Sequence, residues 1–221
     1  MYRACIFDLD GTLANTLYSI ADFSNRALAA CGYARIDPED FRKIVGDGAD
    51  TQMRRMLARV RGNDTEEELT RLRGVYDRFY AADPTRGIAR YEGMEQTVRE
   101  LKRRGVRLAV LSNKPHAWSV AIVHGLFGSD VFDRCYGQRE GIPKKPAPDG
   151  ALKIAEELGV PPRECLYIGD TDTDMKTGAA AGMDTAGALW GFRDRAELEQ
   201  NHANYILEKP EDLLALVPNG G

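Results

Sequence analysis

The sequence predicts an α/β protein in which a parallel sheet is covered by helices on both faces and a helical bundle is inserted after the first strand. From Tyr91 onward, short apolar runs alternate with amphipathic helical segments, the pattern of parallel strands joined by crossover helices. From Asn15 to about Asp83 the chain has helical periodicity and no convincing strand. The run Ala4-Cys5-Ile6-Phe7, short and bounded, matches the later strands and not the helices that follow it. The expected division is therefore a core over 1–15 and 85–221 and a bundle over 16–84, with hinges at Asn15-Thr16 and Asp83-Pro84.

Taken in order, Ala4 to Phe7 is a buried strand, and strand alternation aims Asp8 and Asp10 the same way from its end, with Leu9 turned back into the core. Ile20, Phe23, Ala27 and Leu28 keep helical spacing, and Cys31-Gly32 closes that helix. Asp37-Pro38-Glu39-Asp40 predicts the start of a second helix, with Pro38 in the first helical position and acids in the first turn. Met53, Met56, Leu57 and Val60 form the apolar stripe of a third. Thr65 and Glu68 have capping-box spacing, and Leu69, Leu72, Val75 or Tyr76, and Phe79 carry a fourth.

Beyond Tyr91, a helix through Val98 and Leu101 stops at Gly105, and Val106 to Leu111 is a strand. A helix through Val120 and Val123 leads to a strand over Asp133 to Gly137. The next helix, around Leu152, Ile154 and Leu158, stops at Gly159. Cys165 to Ile168, Met183 to Ala188 and Tyr205 to Leu207 are the remaining strands.

The 221 residues are 43% hydrophobic and 29% charged, which suits one globular unit carrying an insertion. A net charge of −4 gives no electrostatic reason to expect nucleic acid or an anionic membrane as partner. No apolar run is long enough to span a bilayer and no basic segment leads into an apolar stretch at the start, so a cytoplasmic location is expected. Cys5, Cys31, Cys135 and Cys165 show no CxxC spacing and read as reduced thiols. His116, His124 and His202 share no metal-ligand spacing. Gly46-Asp47-Gly48 lacks the preceding strand and third glycine of a dinucleotide loop.

The chemistry collects at strand ends. In Asp8-Leu9-Asp10-Gly11-Thr12, Gly11 permits a tight turn that brings backbone N–H groups toward whatever the carboxylates face, and Thr12 is expected to fix that turn and the position of Asp10. Two acids this close repel unless a cation lies between them, and a hard divalent ion with oxygen ligands is the usual answer. Ser112-Asn113-Lys114 offers a hydroxyl, an amide and backbone N–H groups suited to phosphate oxygens, although taken alone it reads better as a helix N-cap before Pro115. Lys144-Lys145-Pro146-Ala147-Pro148-Asp149 places lysines ahead of a proline-stiffened helix start, and alone it reads as a solvated loop. Gly169-Asp170-Thr171-Asp172-Thr173-Asp174 lacks the later glycine and glutamate of a calcium loop, and its place after a strand favours Mg2+ held by Asp170. Open parallel sheets bind ligands outside the carboxyl ends of their strands. All four clusters lie on that edge, so together they can surround one phosphate and one metal.

These motifs, in their order and spacing, resemble those of the haloacid dehalogenase-like (HAD) hydrolases, and the similarity extends over nearly the whole chain. Val45-Gly46-Asp47-Gly48-Ala49, Ser112-Asn113-Lys114-Pro115 and the run Lys144 to Asp149 resemble the phosphoglycolate phosphatase branch. The resemblance implies a Rossmann-like core with a helical cap, and a Mg2+-dependent phosphomonoester hydrolase working through an aspartyl-phosphate. It implies that Asp8 is the nucleophile and Asp10 the general acid and base, that Ser112, Asn113 and Lys145 hold the phosphate, and that Asp170 completes a metal site shared with Asp8 and Asp10. Asp174 is expected either to reach the ion through water or to orient Lys145. Gly11 and Thr12 in the first turn, and Gly46 and Gly48 at the mouth of the bundle, are the further expected substrate contacts. The implied substrate is a small phosphorylated metabolite, 2-phosphoglycolate first, acted on by a monomer or homodimer. Asn15 stands where many relatives have an aspartate, which leaves the four motifs intact.

A phosphoryl dianion repels a carboxylate nucleophile, so attack by Asp8 requires positive charge on the phosphoryl oxygens, from Mg2+ and Lys145. A sugar phosphomutase or a pyrophosphatase of the same superfamily would keep these motifs. A dehalogenase or a phosphonate-cleaving enzyme is disfavoured by the second acid, Asp10. An inactive phosphate-binding module has no need of Asp8, Asp10, Lys145 and Asp170 together. Trp190-Gly191-Phe192-Arg193 reads either as a flank of the substrate entrance or as a packed loop.

Overall fold

The computed structural model describes residues 2–217. Its elements run β1 (Ala4–Phe7), β2 (Ala14–Asn15), α1 (Leu17–Ala30), α2 (Phe41–Ile44), α3 (Ala49–Arg61), α4 (Glu66–Ala82), β3 (Ala89–Arg90), α5 (Met94–Arg103), β4 (Arg107–Pro115), α6 (His116–Phe127), β5 (Arg134–Gln138), α7 (Asp149–Leu158), β6 (Cys165–Gly169), α8 (Asp172–Ala180), β7 (Asp184–Ala188), α9 (Arg195–Gln200), β8 (Tyr205–Leu207) and α10 (Leu213–Leu216). Six strands form one parallel sheet in the order β5-β4-β1-β6-β7-β8, the α/β architecture expected from the alternation.

β1 lies in the middle, between β4 and β6, and all four of its residues are buried. Both faces of the sheet are covered, which is why this run is continuously apolar. Cys5 and Phe7 pack with Val98, Leu108, Ile122 and Phe127 on one face. Ala4 and Ile6 pack with Ala109, Ile154 and Tyr167 on the other. The strand order reverses direction at β1, so the crevice beyond Phe7 is the place where such a sheet accepts ligands.

The helices α1 to α4 gather around an apolar cluster of their own, which includes Leu17, Phe23, Phe41, Met53, Leu72 and Tyr80. The expected second helix is shorter than its start signal suggests: a 3-10 turn, Pro38–Asp40, leads into the single turn of α2. Asp37 caps the 3-10 turn by accepting the Glu39 N–H at 2.9 Å. Thr65 caps α4 by accepting the Glu68 N–H, but the reciprocal half of the expected box is absent: the Glu68 carboxylate reaches back to the Thr65 hydroxyl and not to its backbone N–H, and its other oxygen meets Tyr33 and Arg61. In α7 the buried stripe is Ala151, Ile154, Ala155 and Leu158, and Leu152 is exposed.

Two features were not legible from periodicity. β2 and β3 pair antiparallel, Ala14 with Arg90 and Asn15 with Ala89, tying together the two chain crossings into the bundle; two-residue strands are too short to show alternation. β4 runs on through Ser112 to Pro115, with a shift of register between Leu111 and Pro115. Ser112 is therefore a strand residue, and α6 begins only at His116. A β-carbon at Gly137 would lie 2.6 Å from the Lys114 carbonyl oxygen and the His116 Cα, so glycine lets the shifted segment rest against β5. All four cysteines are free thiols, Cys5, Cys31 and Cys165 buried and Cys135 partly so. No helix among the described residues is long and apolar enough to cross a membrane.

Candidate active site

The four motifs meet at the carboxyl edge of β1, β4 and β6. Asp8, at the end of β1, is buried, and its Oδ1 lies 2.8 Å from Lys145 Nζ. Lys145 Nζ also donates to Asp174 Oδ1 at 2.7 Å. The other oxygen of Asp174 accepts from Asp170 N, Thr171 N and Thr171 Oγ1 at 3.2, 3.1 and 2.7 Å. Thr171 in turn accepts the Asp174 N–H, completing a capping box on α8. Asp174 is thus engaged on both oxygens and orients Lys145. The Thr-x-x-Asp spacing of this box is a sequence signal for the helix start, masked by the run of acids around it.

Gly11 takes a positive φ of 90°, and a β-carbon there would overlap the Asp170 carboxylate. Its absence lets the first turn close onto the end of β6. Thr12, expected to fix Asp10, instead donates from Oγ1 to Asp170 Oδ1 at 3.0 Å. The Phe192 N–H donates to Asp170 Oδ2 at 2.8 Å, and Trp190 Nε1 donates to the Thr12 carbonyl at 2.9 Å. The loop from Trp190 to Arg193 is therefore packed against the site.

Asn113, expected at the phosphate, uses both ends of its amide on the Lys145 backbone: Oδ1 accepts the Lys145 N–H at 2.8 Å, and Nδ2 donates to the Lys145 carbonyl at 3.1 Å. It fixes the lysine loop. Ser112 Oγ accepts the Lys114 N–H at 3.1 Å and keeps its own proton to donate. Lys114 is the residue that motif reading left without a role: its Nζ pairs with Asp10 Oδ2 at 3.0 Å. The other oxygen, Asp10 Oδ1, is buried with no protein partner.

Two ammonium groups, Lys145 and Lys114, face the four carboxylates of Asp8, Asp10, Asp170 and Asp174, and Lys114 is taken up by Asp10. Burial pushes the Asp170 carboxyl up to about 7, and the neighbouring Asp174 charge adds to this. Burial likewise holds Asp8 well above the ordinary carboxylate range, with Asp174, Asp170 and Asp10 adding to what Lys145 offsets. Lys145, which burial alone would lower, is held well above the ordinary lysine value by Asp174 and Asp8. One carboxylate oxygen from each of Asp8, Asp170 and Asp174 lies within 4.8 Å of the others. Buried, charge-deficient and all-oxygen, this set fits a hard divalent cation. The Asp10 carboxylate, also expected among the ligands, is not in this group of three and pairs with Lys114.

The bundle faces this edge. Gly46 and Gly48 line a cavity of about 40 Å³, partly open to solvent, together with Asp8, Asp10, Ser112 and Lys114. Asp47, between the glycines, accepts from Thr173 Oγ1 of α8 at 2.6 Å and pairs with Arg55 at 2.6 Å. Arg193 donates to the Val45 carbonyl and Arg42 to the Gly191 carbonyl, both at 2.9 Å.

Residues 2–182 match the family model of the haloacid dehalogenase-like hydrolases. The chain belongs to that family. This hydrolase is 34% identical over 217 residues to a phosphoglycolate phosphatase of Aquifex aeolicus, with 98% of this chain and 97% of the relative aligned. It is 33% identical to a phosphoglycolate phosphatase of Rhodospirillum rubrum, covering 87% and 81% of the two chains. Among solved structures, a protein of Lactobacillus delbrueckii subsp. bulgaricus superposes with a TM-score of 0.92 at 30% identity over 99% of each chain. CbbY of Rhodobacter sphaeroides in complex with phosphate superposes at 0.78 and 26% identity over 96% of each. The HAD hydrolase fold and the α/β sheet described above are the same architecture.

Proposed function

We propose that this HAD hydrolase is a Mg2+-dependent phosphomonoesterase that works through an aspartyl-phosphate on a small phosphorylated metabolite, 2-phosphoglycolate before others. The observation that carries this is the pairing of the buried Asp8 with Lys145 beside a cavity that Asp8 and Asp10 both line, with one oxygen of Asp10 left without a protein partner. The relatives named above as phosphoglycolate phosphatases support the choice of substrate.

In this reading an Asp8 carboxylate oxygen attacks phosphorus, and the bond from phosphorus to the alkoxy oxygen breaks. Asp10, through its free Oδ1, gives the leaving alkoxide a proton. It then takes a proton from the water that attacks phosphorus, which restores the Asp8 carboxylate and releases inorganic phosphate. Lys145 keeps Asp8 aimed and offsets part of the burial and like charge that oppose its ionisation, and the Ser112 hydroxyl is free to donate to a phosphoryl oxygen. Asp8 and Asp170, with Asp174 behind them, would hold Mg2+, which when bound withdraws charge from the phosphoryl oxygens.

Residues 16–84 act as a cap over a core of 1–15 and 85–221, fastened by Asp47 to Thr173 and hinged where β2 and β3 pair. With the bundle resting on this edge through Asp47, Arg42 and Arg193, compact esters are favoured over nucleic acid or phosphoprotein; no membrane partner is part of the reading, and the enzyme is cytoplasmic. The test is release of inorganic phosphate by the purified protein. Turnover of 2-phosphoglycolate that needs Mg2+, stops in EDTA and exceeds in kcat/KM that of a panel of small phosphoesters is expected. Absence of Mg2+-dependent release from every ester would overturn the proposal.

A further inference from the structure

We propose that Lys114 is the specificity-determining residue of this site and that its ammonium group holds the carboxylate of a short phosphorylated acid. The inference rests on the phosphatase reading above and deepens it, naming the residue that selects the substrate and the charge by which it does so.

Lys114 lies on the shifted end of β4, where the bare backbone of Gly137 lets its carbonyl rest against β5. Ser119 Oγ donates to that carbonyl at 3.2 Å, and Ser112 Oγ accepts the Lys114 N–H at 3.1 Å. With its backbone fixed in this way, the side chain, only 6% exposed, reaches the cavity above Asp8 and Asp10. There Nζ meets Asp10 Oδ2 at 3.0 Å and stands 4.8 Å from the centre of the Tyr80 ring.

An ammonium group has three donors. Asp10 takes one, the ring face attracts the charge without accepting a full hydrogen bond, and the cavity side remains. Lys145, the other buried ammonium of the site, already lies between Asp8 and Asp174. Of the remaining cavity wall, Ile20, Val45 and Trp118 carry no charge, and Gln52 donates its amide to Ser24 Oγ at 2.9 Å. An ionised oxygen placed beside Lys114 gains a charge-assisted hydrogen bond away from bulk water. A hydroxyl in the same place gains only a neutral one. Lys114 Nζ lies 3.0 Å from Asp10 Oδ2, and both residues line the cavity with Asp8, so an acid group beside the lysine belongs to an ester short enough to keep its phosphoryl group at Asp8.

The experiment uses two esters of the same shape, 2-phosphoglycolate and 2-hydroxyethyl phosphate, which differ in carboxylate against hydroxymethyl. Dissociation constants are measured by calorimetry with Mg2+ in the full chain carrying Asp8→Asn, with and without Lys114→Met; kcat/KM is measured with Asp8 intact. With Lys114 present the acid is expected to bind at least about tenfold tighter, the range of a charged hydrogen bond, and Lys114→Met is expected to bring the two esters to within about twofold in both binding and kcat/KM. Lys114→Arg should restore most of the preference. If Lys114→Met lowers kcat/KM for both esters equally and leaves the ratio of affinities unchanged, Lys114 serves Asp10 alone and the inference is overturned. Equal binding of the two esters by the protein with Lys114 overturns it as well, while leaving the phosphatase reading standing. Binding of neither ester at millimolar concentration overturns both. Should Lys114→Met fail to fold, Lys114→Gln takes its place with the same expected loss of preference.

Discussion

Lys145 Nζ stands 2.8 Å from Asp8 Oδ1, and both groups are almost wholly buried. The lysine comes from the loop before α7 and the aspartate from the end of β1, so this ion pair locks two distant parts of the chain onto one edge of the sheet. Breaking a buried pair by removing one partner leaves an uncompensated charge and costs about 3–5 kcal/mol. Lys145→Met is therefore expected to lower the unfolding free energy by about that amount in urea near neutral pH without metal, and to abolish turnover. A variant as stable as the parent would show that the site's acids do not depend on Lys145.

Asp8→Asn removes the attacking oxygen and is expected to leave no measurable turnover of any ester while the fold persists. Asp10→Asn should spare some phosphorylation with p-nitrophenyl phosphate, whose leaving group needs little protonation, and lose far more with an alkyl ester. The two variants compared on both ester types read out this division; equal inactivity on p-nitrophenyl phosphate would argue against it.

Asp170 and Asp174 should separate by phenotype. Asp170 is the proposed direct ligand of the cation, so Asp170→Ala is expected to raise the Mg2+ concentration for half-maximal activity by more than the roughly 10- to 100-fold typical of a residue behind the ligands. Its thermal stability in EDTA should not fall. Asp174 holds Lys145 and caps α8, and loss of a cap alone costs about 1 kcal/mol, so Asp174→Ala should lower the melting temperature clearly. The opposite ranking in metal titration and melting would reverse the assignment.

Cap closure can be probed at Thr173, whose hydroxyl donates to Asp47 at 2.6 Å. Thr173→Val removes one hydrogen bond to a charged group, worth about 1.5–3 kcal/mol. It is expected to lower kcat/KM for 2-phosphoglycolate about tenfold with only a small change in melting temperature. Unchanged kinetics would mean the contact does not report closure. A bulky side chain at Gly48 is a poorer probe, because its φ of 87° makes any L residue strained by about 1–2 kcal/mol.

The pH dependence of stability should carry a mark of Glu157 on α7. Hydrogen bonds from the Tyr136 hydroxyl and the Arg134 guanidinium pull its carboxyl down from 4.5 to about 2. A carboxyl lowered in the folded state stabilises above its unfolded value, and that contribution fades as pH falls from about 4.5 toward about 2. Glu157→Gln should thus be less stable than the parent at pH 6 in urea, with the difference shrinking by pH 3. A difference constant over that range would exclude the linkage.

The sequence by itself determined the six strands of the parallel sheet, the four motifs and their place at the strand ends. An apolar run buried on both faces and an acid pair two residues apart are local patterns, set by strand periodicity and by the turn that Gly11 permits. What only the tertiary structure decided is which partner each polar group found. Thr12 holds Asp170 and not Asp10, Asn113 holds the Lys145 backbone, and Lys114 takes the Asp10 carboxylate. Each of these groups had several acceptors or donors of the right type along the chain, and one-dimensional spacing cannot rank them. The ranking came from the shift of register in β4 and the close approach of backbone at Gly11 and Gly137, features that exist only when strands distant in sequence lie side by side.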